Sequence, residues 1–211
     1  MVAFALLDEH GESPFHLGEA EGASRIADWL VEAARTHGSA DGTVEVLAAA
    51  AAARLATAEP EKARALLAEI EQTPGARETP YYARQLSAML RTALAAGDPD
   101  LAARLAGGLE RRYPLREHAL CAARAQLAEN ASDHAQAASL YAEAAARWQQ
   151  FGNVSERGYA LLGQGRCLLT LGDPAAEQPL REAAKLFSSM RYLPALAETN
   201  ALLEQTAAAA S

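Results

Sequence analysis

The sequence is poor in aromatic residues, in lysine and in cysteine, and it has no long apolar run. Aromatics make up 6% of its 211 residues, too few large side chains to fill a thick globular core. Lysine occurs only at Lys62 and Lys185, and acidic residues outnumber basic ones 27 to 19, for a net charge of -8. That balance argues against nucleic acid or an anionic membrane as partner, because both select a positive surface. Cys121 and Cys167 stand 46 positions apart and match no zinc or redox spacing. Both fall in apolar helical patterns and read as small buried hydrophobes of a reducing, cytoplasmic compartment. The longest alanine-rich run, Val46 to Ala53, is cut by Arg54, far short of the ~20 apolar residues of a spanning helix. The opening Met1-Val2-Ala3-Phe4-Ala5-Leu6-Leu7 lacks a basic flank and ends at Asp8-Glu9, so it does not read as a secretory signal.

Motifs of catalysis are missing as well. There is no G-x-x-x-x-G-K-[ST] phosphate loop and no H-E-x-x-H metal helix. There is no G-x-S-x-G nucleophile elbow. Gly163-x-Gly165 lacks the third glycine and the preceding strand of a dinucleotide site, so these glycines read as points of close helix contact. The five histidines show no ligand spacing apart from His10 and His16, which read as a solvated pair in a loop. No two carboxylates stand out as a general acid and base. The expectation is a protein without catalytic residues, metal or cofactor, and not an enzyme.

What the chain has in quantity is alanine, the dominant member of an apolar half and the best helix former. It also has a recurring triplet: a small residue, then an apolar one after four positions and another after three more. The copies are Ala63-Leu67-Ile70, Ala102-Ala106-Leu109, Ala137-Tyr141-Ala144 and Ala176-Leu180-Ala183, whose first members are 39, 35 and 39 apart, with a fainter Ala23-Ala27-Leu30 ahead. The spacing puts each triplet on one helix face. Pro60, Pro99 and Pro174 stand just before three of the copies, where a missing N–H is harmless. Gly97-Asp98-Pro99 and Gly172-Asp173-Pro174 read as helix stop, cap and start.

These signals predict an all-α chain of helix pairs. First helices are expected at about 43–57, 80–96, 116–130 and 154–171, and second helices at about 60–72, 99–112, 133–150 and 176–190. An early helix is expected at about 21–37 and a last one at about 194–206. Pro179 requires the 176–190 helix to start late, near Ala176. Residues 1–20 are expected to be irregular, 21–206 to form one repeat domain and 207–211 to fray.

The pattern resembles tetratricopeptide repeats, whose consensus length is about 34 residues. Ala63, Ala102, Ala137 and Ala176 match the consensus alanine of the second helix. Pro74 and Pro114 match the proline that closes a repeat, and Gly97, Gly165 and Gly172 match consensus glycines. The stretch from Phe151 to Leu169, with Leu196-Ala197-Glu198-Thr199, resembles the C-terminal repeats of bacterial, often actinobacterial, regulators. In those proteins an AAA-type ATPase precedes the repeats, with a nucleotide-cyclase-like or LuxR-type DNA-binding output domain.

The resemblance implies a right-handed α-solenoid in which first helices line a concave groove. Family groove positions fall here on Glu45, Arg84, Ser87, Arg91, Gln126, Asn130, Tyr159, Arg166 and Thr170. Seventeen of the basic residues are arginine, a side chain that grips carboxylates with two parallel hydrogen bonds. Arg84, Arg91 and Arg166 could therefore hold an acidic protein or peptide. The alternative is that they are ordinary solvated arginines, some paired with Glu129 or Glu45. The resemblance implies two functions. One is a peptide- or protein-binding scaffold that couples parts of a signalling regulator, with room for a homo-oligomer. The other is a ligand-sensing arm that binds a small molecule near Tyr159 and changes its superhelical curvature.

Overall fold

The computed structural model describes residues 17–110 and 112–209. All regular structure among them is helical, and the chain divides into two compact units with the boundary after Glu110. The repeat pattern alone marks no boundary inside 21–206.

The first unit holds α1 (Leu17–His37), α2 (Ala40–Ala56), α3 (Pro60–Gln72), a 3-10 turn (Ala76–Glu78), α4 (Pro80–Ala95) and α5 (Pro99–Ala106). The second holds α6 (Pro114–Asn130), α7 (His134–Phe151), α8 (Val154–Thr170), a 3-10 turn (Pro174–Ala176), α9 (Glu177–Met190) and α10 (Leu193–Ala209). In each unit, helices adjacent in sequence pack together, and first helices also touch the next first helix.

One turn occurs six times among the described residues: at Gly152–Asn153, at Arg191–Tyr192, and four times inside the expected helix pairs. Those four link α2 to α3, α4 to α5, α6 to α7, and α8 to the turn before α9. The amides of Glu59, Asp98, Asp133 and Asp173 donate five residues back, to the carbonyls of Arg54, Ala93, Ala128 and Leu168, at 2.8 to 3.0 Å. The preceding residues, Ala58, Gly97, Ser132 and Gly172, are left-handed with φ of 58°, 77°, 62° and 69°. This is the Schellman ending, which satisfies the last carbonyls of a helix. Asp98, Asp133 and Asp173 then cap the next helical segment, accepting from the amides of Leu101, Gln136 and Ala175 at 2.9, 3.1 and 2.8 Å. After each of these four turns comes the expected small residue. Ala63, Ala102 and Ala137 are fully buried and Ala176 nearly so.

Helix α8 carries the closest packing. A Cβ on Gly163 would lie 2.5 Å from the Tyr141 ring of α7, one on Gly165 2.4 Å from Leu180 of α9, and one on Gly158 2.9 Å from Phe187 of α9. Glycine on opposite sides of one helix thus admits large side chains from both neighbours. Pro179 sits in the first turn of α9 and is buried, which fits the late start.

Several expectations need correction. Helix α5 stops at Ala106 rather than near residue 112, because Gly107 and the left-handed Gly108 (φ 69°) come after it. Leu109 therefore lies outside the helix, and the buried face is Leu101, Ala102 and Leu105. Cations and hydroxyls close this short helix. Tyr82 donates to the Leu105 carbonyl at 2.8 Å, and Arg77 donates to the carbonyls of Arg104 (3.2 Å) and Gly107. A cation at a helix C-terminus is also favoured by the helix dipole. Pro114 does not close a repeat; it opens α6. Helix α1 begins at Leu17, inside the segment expected to be irregular, and α10 runs to Ala209, past the point where fraying was expected. His10 and His16 lie outside the described residues.

Candidate functional site

The residues expected to line a groove fall in both units. Arg84, Ser87 and Arg91 are on α4, with Glu45 on α2. Gln126 and Asn130 are on α6, and Tyr159, Arg166 and Thr170 on α8.

Helix α4 is packed over most of its circumference. Tyr82, Ala83, Leu86, Ser87, Met89, Leu90, Thr92 and Ala93 are all buried, which leaves a narrow strip open. Arg84 lies on that strip and is exposed, and Arg91, two turns on, is half-buried at its edge. Arg84 makes no ion pair with any of the described residues. Ser87 is 1% exposed and Gln126 5%, so neither presents a side chain to a partner. Each is rotated away from the open strip of its helix into neighbouring helices. Asn130 and Thr170 are exposed, and the Thr170 hydroxyl donates to the Arg166 carbonyl at 3.0 Å.

Tyr159 is half-buried, with ring centroids 5.1 Å from Phe187 and 6.4 Å from Tyr192. The apolar surroundings that a small-molecule site would need there include the chain's own rings.

Arg166 is the centre of an ion-pair network. Its Nε and Nη2 donate to the two oxygens of Glu129 on α6 at 2.5 and 2.9 Å, and its Nη1 to Glu198 on α10 at 2.6 Å. One guanidinium therefore ties three successive first helices of the second unit together. Tyr141 on α7 donates to the same Glu129 carboxylate at 2.6 Å. The glycine at 163 is what lets the Tyr141 ring come so close to α8.

Burial pushes the Glu129 carboxyl upward, but the Arg166 guanidinium outweighs it and holds the group below its ordinary range. Burial also works against the charge on Arg166, and the Glu129 hydrogen bond outweighs that too. Tyr141 is raised, first by burial and then by the Glu129 charge. The Cys167 thiol is pushed up to about 12 by burial and the same carboxylate. At neutral pH the cluster thus holds a carboxylate, a guanidinium, a neutral phenol and a neutral thiol, and the thiol is no nucleophile in that state. With both carboxylates in place, Arg166 does not offer its charge to an incoming acid. The ordinary pairing with Glu129 is the one found.

The other arginines are used in similar ways. Arg35 grips Glu69 at 2.7 and 2.6 Å, joining α1 to α3. Arg54, 5% exposed, pairs with Asp28 and with Glu59 (3.0 Å). Arg104 reaches Glu71 at 3.2 Å, Arg157 pairs with Glu182, and Arg64 donates to the Ala96 carbonyl at 2.7 Å. The abundance of arginine in an acidic chain is largely an internal matter, and sequence spacing gave no sign of these long-range partners.

Cys121 and Cys167 are both free and buried. Among the described residues, no three His, Cys, Asp or Glu side chains are grouped to hold a metal ion, and no helix is long and apolar enough to cross a membrane. No family model matches the chain, and no curated protein matches it.

Proposed function

We propose that the chain is a tetratricopeptide-like repeat module that binds a protein or peptide, without chemistry of its own, and that it serves as a coupling arm of a bacterial signalling regulator. The observation that carries this reading is the recurrence of one turn inside four expected helix pairs, with a left-handed residue, a six-to-one hydrogen bond and a buried alanine a few residues later. Such units cannot bury their apolar faces alone, so they stack, and stacking leaves extended helix edges that serve as binding surfaces. In this reading the helix pairs within each unit wind with the right-handed sense of that family.

The proposed contact set is smaller than the family positions suggest. Arg166 leaves it because two carboxylates hold its guanidinium, and Ser87 and Gln126 leave it because they are buried. Arg84 and Arg91 remain in the first unit, and Asn130 and Thr170 in the second. The exposed Arg84 suits an acidic group on the partner.

Affinity capture from native cell extract tests this, with the parent chain and an Arg84→Glu/Arg91→Glu variant side by side. The reading predicts a protein retained by the parent and lost by the variant. Identical retention by both would overturn the assignment of the surface.

A further inference from the structure

We draw no further inference here: the strongest candidate, the exposed apolar face of α1 at Ile26 and Trp29, is an unpartnered helix face, and nothing in the structure shows what covers it.

Discussion

Arg166 and Glu129 face each other across 37 residues of sequence with two parallel hydrogen bonds, at 2.5 and 2.9 Å. The side chain of Glu129 is 17% exposed and that of Arg166 39%. A fully buried pair costs about 3–5 kcal/mol when one partner is removed, but partial exposure lets water take over part of that role. Arg166→Ala should therefore lower the unfolding free energy of the second unit by about 1–2 kcal/mol. Glu198→Ala, which removes the exposed end of the network, should cost no more than about 0.5 kcal/mol. Urea unfolding of the two variants measures both, and equal losses would mean that the pairing with Glu129 holds nothing in place.

Gly163→Ala and Gly165→Ala should destabilise the protein, although alanine is the better helix former by about 1 kcal/mol. The added methyl on residue 163 would sit 2.5 Å from a Tyr141 ring whose hydroxyl is fixed on Glu129, and that on 165 would sit 2.4 Å from Leu180. Overpacking of this kind costs about 1–3 kcal/mol. A rise in melting temperature in either variant would show that α8 is not tightly packed there.

Ser132→Gly should act in the opposite direction. Ser132 holds φ 62° in a turn where Gly97 and Gly172 hold 77° and 69°. A left-handed non-glycine residue costs about 1–2 kcal/mol, against about 0.5–1 kcal/mol for the extra freedom of glycine in the unfolded chain. The expected net gain is about 0.5–1 kcal/mol, read as a higher denaturant midpoint. Ala58→Gly, at φ 58°, should behave alike.

These turns show how far the sequence could be read. Gly97-Asp98-Pro99 and Gly172-Asp173-Pro174 announce their turns because glycine, aspartate and proline each suit one backbone position. Ala58 and Ser132 adopt the same geometry with no such residue, because the hydrogen bonds of the helix end, and not residue preference, hold them there. The buried alanines were legible from spacing alone. The groove was not: whether Ser87 or Arg84 reaches solvent depends on how closely α4 is wrapped, which its sequence does not record. Nor could spacing reveal that Arg166 spends its charge on carboxylates 37 and 32 residues away, or that Trp29 is left uncovered.

Stability should fall on acidification in two steps. His118 lies between Trp148 and Phe151, with centroids 5.6 and 5.3 Å away. Burial, and then the Arg147 charge, lower its pKa, with Glu117 opposing them. The unfolded chain therefore takes up a proton first. Stability is fully present above the ordinary histidine value of about 6.5 and declines as pH falls below it. His118→Gln should flatten the profile between about pH 7 and 5.5. A second loss is expected below about pH 4, where Glu129, Glu69 and Glu59 (at about 2) give up the stability that their lowered values supply above the ordinary carboxylate range. Thermal unfolding across pH, with and without His118, separates the steps.

The most direct measurement of the binding account is a titration of the purified captured partner against the parent chain and the Arg84→Glu/Arg91→Glu variant, at low and high salt. Arg84 is exposed, so its substitution should change folding by no more than about 0.5 kcal/mol. Charge reversal should weaken binding by about tenfold or more, and added salt should weaken the parent complex more than the variant's. Unchanged affinity and salt dependence, or no protein captured by the parent in preference to the variant, would contradict the claim that the open strip of α4 is a binding surface.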